Sequence, residues 1–148
     1  MKRFQILFLL CLALSFTFSI FAQDTKEVII LQTSDVHSRI EPINQKGDRY
    51  YNKGGFVRRA AFLEEFRKDH KNVLLFDCGD ISQGTPYYNM FRGEVEIKLM
   101  NEMGYDAMTI GNHEFDFDVD NMARIFKMAD FPVVCANYNL DATVSVSY

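Results

Sequence analysis

Cysteine is scarce in this sequence, and the shortage excludes two kinds of architecture. Three cysteines in 148 residues are too few for the disulfide framework of a small secreted scaffold. Cys78 and Cys135 stand in apolar surroundings, LLFDC and PVVCA, and we expect both to be free thiols. A closed structural zinc site, which is built mainly from cysteine and histidine, is not expected either.

Positive charge is also in short supply. The chain has 16 Lys and Arg against 20 Asp and Glu, for a formal net charge of −4. An acidic chain without a basic stripe is a poor partner for a nucleic-acid polymer. Internal repeats, low-complexity segments and linkers are lacking, and 48% of the residues are hydrophobic. This composition is typical of one globular domain or part of one.

The N-terminus predicts export. Lys2 and Arg3 precede an apolar run over residues 6–21, which ends beside Ala22. This layout predicts a secretory signal peptide over residues 1–22 and a periplasmic or extracellular protein without a lipid anchor or a stable membrane anchor. The alternative is an uncleaved anchor, but the run is short of the ~20 residues that a spanning helix needs. Cleavage removes both cations, so the charge becomes −4 − 2 = −6.

Beyond the N-terminus, short apolar runs alternate with stretches of helical periodicity. Strand-like runs occur at residues 27–34, 72–78, 106–111 and 131–137, and a weaker alternating pattern occurs at 140–148. Because the four runs are continuously apolar, we expect both faces of their sheet to be covered. The β-α-β-α-β-α-β order predicts an α/β fold with mostly parallel strands.

Three helices are predicted between these strands. They cover residues 54–70, 94–104 and 118–132, and Gly104 is expected to cap the second. Helical periodicity also predicts which side of the first helix is buried. The residues of that stripe are Val57, Ala60, Ala61 and Phe66.

Polar residues follow three of the predicted strands. In an open parallel sheet, functional groups collect at the carboxyl ends of the strands. The residues are Asp35 and His37 after the first strand, Asp77 and Asp80 after the second, and Asn112, His113, Glu114 and Asp116 after the third. Each group alone is compatible with an ordinary turn. Together they provide the oxygen and nitrogen ligands that bind divalent metal ions.

The ligand types complement one another. Asp35 and His37 can bind one divalent metal ion, and Asn112 offers a neutral oxygen to a second. Asp80 has two carboxylate oxygens that can bridge both ions. Gly79 precedes Asp80 and can provide the tight turn that directs its side chain into the cleft. The residues therefore predict a two-metal site at this edge of the sheet.

The motifs that carry these residues resemble a known family. DVH, GD and GNHE, in this order after successive strands, are similar to the motifs of the calcineurin-like binuclear metallophosphatases. The longer segments LQTSDVHSR, GGFVRRAAFL, DCGDISQGTP and YDAMTIGNHEFD resemble the exported 5′-nucleotidase branch, with its UDP-sugar hydrolases and cyclic-nucleotide 2′-phosphodiesterases. The resemblance runs from about Val28 to Asn137.

The resemblance implies a role for each site residue. Asp35 and His37 would bind the first metal, Asp80 would bridge the two, and Asn112 would bind the second. His113 and Asp116 would form the catalytic dyad, whereas no role is predicted for Glu114. The implied cofactors are two divalent ions, Mn, Zn, Co or Fe, holding a hydroxide that attacks a nucleotide phosphate or another phosphate ester.

The resemblance also implies that residues 23–148 form the first half of a metallophosphatase α/β/β/α sandwich. The family has further histidine ligands downstream, but this sequence has three histidines and none after His113. A counterpart of the C-terminal nucleotide-binding domain is likewise not found. We therefore expect one face of the sheet to be exposed where the second half would pack.

Three interpretations of activity stay open. The chain can be an incomplete, weakly active or inactive metallophosphatase, a non-catalytic secreted fragment with a vestigial metal site, or one half of a split enzyme that a second polypeptide completes. For the isolated 23–148 chain we expect little or no phosphatase activity. The motifs do not distinguish nucleotide, cyclic-nucleotide and UDP-sugar substrates.

Overall fold

The computed structural model describes residues 25–138, together with Gln5. The signal peptide predicted for residues 1–22, Gln5 apart, and the strand predicted for residues 140–148 lie outside the described part. Among the helices of the described part, none is long and apolar enough to cross a membrane.

The described residues form a four-stranded parallel sheet with the strand order β1-β2-β3-β4. The strands are β1 Ile29–Thr33, β2 Val73–Asp77, β3 Ala107–Thr109 and β4 Val133–Val134. The helices are α1 Phe56–Asp69, α2 Pro86–Phe91, α3 Glu94–Met103 and α4 Val119–Phe126, with a 3-10 turn at His113–Phe115. The predicted α/β class and the parallel strands are confirmed, whereas the short helix α2 was not predicted.

One face of the sheet packs on the core and the other is exposed. Leu75 of β2, Met108 of β3 and Val133 of β4 are buried. On the opposite face, the side chains of Ile30 and Val134 are 63% and 54% exposed. Right-handed crossovers in a sheet of sequential order place every connecting helix on the same side, which explains the difference.

The expectation that both faces would be covered is therefore wrong for the described residues. The expectation of an exposed face is confirmed.

The core lies between the sheet and helices α1, α3 and α4. Besides Phe56 at the start of α1, it includes a second buried side chain of α1, several of α3 and α4, and the inward residues of β2, β3 and β4. These residues are Leu63, Ile97, Met100, Met103, Met122, Ile125, Phe126, Leu75, Met108 and Val133. Helix α3 ends at Gly104, which adopts the left-handed conformation expected of a C-cap.

The buried side of α1 differs from the predicted stripe. Phe56 and Leu63 are the buried residues of this helix, whereas Val57 is 60% exposed. Ala60 and Ala61 are also exposed. The helix begins at Phe56 and uses Arg59 on its inner side, where the guanidinium lies 4.6 Å from the centre of the Phe56 ring. Phe66, the fourth residue of the predicted stripe, is half-buried, so the apolar pattern was wrong for three of its four residues.

The cysteine prediction is confirmed. Cys78 and Cys135 are both free in the described part of the chain.

Candidate active site

The loop after β1 continues alongside the loop after β2. The backbone N–H of Asp35 donates to the Gly79 carbonyl at 3.0 Å, and that of His37 donates to the Asp80 carbonyl at 3.1 Å. These bonds extend the pairing of two parallel strands past their carboxyl ends. The first two groups of predicted site residues are consequently held next to each other.

Three of the predicted ligands have a left-handed backbone conformation. The φ angles are 52° at Asp35, 43° at His37 and 57° at Asp80. Residues other than glycine adopt this conformation rarely, and it costs energy that the surrounding structure must supply. Such positions concentrate at functional sites.

His37, Asp80 and His113 converge on one point. Each offers a ligand atom, and these atoms lie within 4.8 Å of one another. His37 Nε2 is 3.8 Å from an oxygen of the Asp80 carboxylate. The His37 and His113 rings meet edge to face, with their centroids 5.0 Å apart. The structure thus joins residues from all three predicted groups.

His37 Nε2 is buried and has no hydrogen-bond partner among the described residues. A buried polar nitrogen without a partner is costly, because it has given up its bonds to water. It points toward a carboxylate at a distance too long for a hydrogen bond. A divalent ion between the two groups would satisfy both, so the donor set fits a metal.

His113 is paired with Asp116, as the predicted dyad requires. Its Nδ1 lies 2.9 Å from a carboxylate oxygen of Asp116. This hydrogen bond raises the pKa of His113 above its ordinary value of 6.5, against a smaller opposite effect of burial. The contact also fixes the ring orientation, because the two residues are held in and just after the 3-10 turn.

Asp35 and Asn112 are less tightly placed. The Asp35 carboxylate is exposed, accepts a hydrogen bond from the Ser34 hydroxyl and is not part of the converging group. It nevertheless borders the same cavity of about 390 Å³ as His37, together with Arg59. Asn112 is exposed, and its backbone carbonyl accepts a hydrogen bond from the Phe115 backbone N–H. Metal binding by these two residues stays a prediction.

An open cleft of about 650 Å³ borders Asp116. Asp116 and Phe117 form one wall, and residues 83–86 and 88–89 form the remainder. Gln83, which also lines the cleft, has a φ of 84° and is another non-glycine residue in the left-handed conformation. Asp116 thus places one member of the dyad at the edge of this cleft.

Two acidic residues of the predicted groups have functions that the sequence did not show. Glu114 is buried, and its carboxylate accepts hydrogen bonds from backbone N–H groups of the loops that follow β2 and β3. Asp77 is also buried, and it accepts bonds from the Thr33 hydroxyl at 2.5 Å and from Gly79 N–H at 2.8 Å. Burial raises the pKa of Asp77 from 3.8 to about 6. The residue types of a turn-like segment do not show whether its acidic side chains are buried or which groups they accept hydrogen bonds from.

The model of the calcineurin-like phosphoesterase family matches residues 28–144. This chain belongs to the calcineurin-like phosphoesterases. The predicted resemblance is thereby confirmed, and so is the class of enzyme to which the residues point, the metallophosphoesterase hydrolases.

Known 5′-nucleotidases are similar to this calcineurin-like phosphoesterase. A snake venom 5′-nucleotidase of Gloydius brevicauda is 42% identical over 115 residues, which are 75% of this chain and 20% of that protein. The chain thus spans about a fifth of the length of the curated relatives that it matches.

Two solved structures share the fold. The 5′-nucleotidase precursor of Thermus thermophilus matches with a TM-score of 0.66 and 37% identity, over 74% of this chain and 22% of that chain. The NAD nucleotidase of Haemophilus influenzae matches with a TM-score of 0.71 and 33% identity, over 80% of this chain and 22% of that chain.

Proposed function

We propose that this chain provides metal ligands and a catalytic dyad for the hydrolysis of a nucleotide phosphate ester. In this proposal Asp35 and His37 would hold a first divalent ion and Asn112 a second, with Asp80 available to both. The observation that carries the proposal is the buried, unpartnered His37 Nε2 beside the Asp80 carboxylate. Nothing else among the described residues provides that nitrogen with a partner.

The metal ions, when bound, would lower the pKa of water and neutralise charge on the phosphoryl oxygens. Proton donation and orientation of the catalytic imidazole would come from residues of the chain. Asp116 holds Nδ1 of His113, which leaves Nε2 as the nitrogen available to a substrate. That imidazole can donate a proton to the leaving oxygen or stabilise its charge. Asp116 keeps the ring oriented and supports the imidazolium.

The convergence of His113 with His37 and Asp80 also favours a second role for His113, that of a direct metal ligand. The two roles differ in what the loss of the imidazole changes. A ligand contributes to metal affinity, whereas a proton donor contributes to turnover alone.

The substrate class and the location rest on similarity. The relatives in question are named 5′-nucleotidases or an NAD nucleotidase, which supports a nucleotide as the substrate. Export is supported by the charge and apolar run of residues 1–22, and by similarity to a venom protein. In this proposal residues 23–148 are the N-terminal part of the metallophosphatase domain.

The proposal is tested by titrating the full chain with Co²⁺ and comparing His37→Ala with His70→Gln. His70 is the matched control, because it ends helix α1 and contacts the Phe66 carbonyl at 2.9 Å, away from the site. We expect saturable binding by the parent and the control, and affinity at least about tenfold lower in His37→Ala. Equal affinity in all three chains would rule out His37 as a ligand.

A further inference from the structure

Glu114 is a charged residue in a fully buried position. Its side chain is 1% exposed, and it lies in the centre of the 3-10 turn His113–Phe115. Burying a carboxyl group is costly unless hydrogen-bond donors replace the water that it loses. The identity of those donors therefore shows what the residue is for.

Four backbone N–H groups surround the Glu114 carboxylate. Oε2 accepts from Gly111 at 2.7 Å and from Asp80 at 2.9 Å. Oε1 accepts from Ile81 at 3.0 Å and from Ser82 at 3.2 Å. Three donors come from the loop after β2 and one from the loop after β3. One side chain thus clamps two loops together.

Asp80 is held from both ends by this arrangement. Its backbone N–H donates to Glu114, and its Oδ1 accepts from the His113 N–H at 2.9 Å. Its φ of 57° is the left-handed conformation that needs support from neighbouring groups. The hydrogen bonds that the backbone N–H groups of residues 80–82 donate to the Glu114 carboxylate provide that support.

The two loops are also too close for a side chain to separate them. A Cβ at Gly111 would lie 2.1 Å from Asp80 Oδ1 and 2.5 Å from Asp80 N. A Cβ at Gly79 would lie 2.4 Å from Gly111 N. The glycines permit the approach, and the Glu114 carboxylate holds it.

We propose that Glu114 is a positioning residue that locks the loop after β2 to the loop after β3, so that Asp80 faces His37 and His113. This inference rests on the proposed metal site. Glu114 binds neither metal nor substrate in it, and acts through the orientation of Asp80 and His113.

The test compares Glu114→Gln with Glu96→Gln in the full chain. Glutamine has the shape of glutamate, but its NH₂ cannot accept, so two of the four N–H groups lose their acceptor. Glu96 is the matched control, since it is 0% exposed and accepts no bond from either loop among the described contacts. Both variants replace one buried carboxylate by an amide of equal size.

Two measurements of Co²⁺ binding separate positioning from general stability. In Glu114→Gln we expect an affinity about 10–100-fold lower and altered visible absorption bands of bound Co²⁺, because its ligands are misdirected. In Glu96→Gln we expect the affinity and bands of the parent, whatever the change in melting temperature. Parent-like affinity and bands in Glu114→Gln would overturn the positioning role alone. A parent chain without saturable Co²⁺ binding would instead overturn the proposed metal site, and with it this role.

Amide hydrogen exchange in the parent chain tests the clamp even where a variant fails to fold. If Glu114 joins the loops, the amides of residues 80–82 and of Gly111 open together and show one common protection factor. Protection that differs between the two loops would show that they open separately, and would overturn the inference.

Discussion

Asp77 and Glu114 are buried acids with different partners. Glu114 has four backbone N–H donors, whereas Asp77 has one hydroxyl and one N–H. Burial dominates at Asp77 and raises its pKa to about 6, although the hydrogen bonds from Thr33 and Gly79 and the charge of Arg59 oppose it. Asp77 therefore makes stability depend on pH.

The dependence has a definite direction. Because the pKa of Asp77 is higher in the folded chain than the ordinary 3.8, the folded state binds the proton more tightly. This contribution is complete below about pH 4 and is lost as the pH rises through about 6. A pKa difference of about two corresponds to about 3 kcal/mol.

Asp77→Asn removes this dependence, because asparagine stays neutral and retains the shape of the protonated acid. We expect the variant to gain stability relative to the parent as the pH rises from 4 to 7, by about 3 kcal/mol in total. Urea unfolding at a series of pH values measures the difference. A difference that is constant over this range would contradict the assignment.

At the scale of the element, the sequence predicted the order of strands and helices along the chain, the parallel pairing and the three longer helices, because the strands are continuously apolar and the helices are periodic. Helix α2 was missed, since six residues show no period. The inner side of α1 was misplaced, because Arg59 lies on it.

Within the site, His37, Asp80 and His113 were predicted and do converge. The role of Glu114 was not predicted, because a buried, hydrogen-bonded glutamate and an exposed glutamate in a turn cannot be distinguished from the sequence.

The corrected side of α1 leads to a prediction about stability. Leu63→Ala should cost about 2–5 kcal/mol, since it leaves a cavity under the helix. Val57→Ala, at a position that the apolar pattern placed inside, should change stability by no more than about 0.5 kcal/mol. Urea unfolding of both variants measures the costs. Comparable losses would mean that Val57 lies inside after all.

For the whole molecule, the exposed sheet face is the feature with the widest consequence. Ile30 and Val134 stand on it, 63% and 54% exposed. Apolar surface of this kind favours association with another copy or another chain. It is also where the second half of a metallophosphatase sandwich would pack in the proposed domain.

Ile30→Lys should therefore reduce self-association of the full chain. The control is Val57→Lys, which places the same charge on an exposed position of α1 instead of the sheet. Sedimentation velocity should show a smaller assembled fraction for the first variant and the parent fraction for the second. The same decrease in both would assign the effect to net charge and not to the sheet face.

In the proposed site, His37 and Asp80 share a divalent metal ion. The most direct test of this arrangement is a crystal of the full chain soaked in Zn²⁺, with data collected on both sides of the zinc absorption edge. We expect an anomalous peak about 2.0–2.2 Å from His37 Nε2 and from a carboxylate oxygen of Asp80. Zinc bound elsewhere, with no peak between these two side chains, would contradict it.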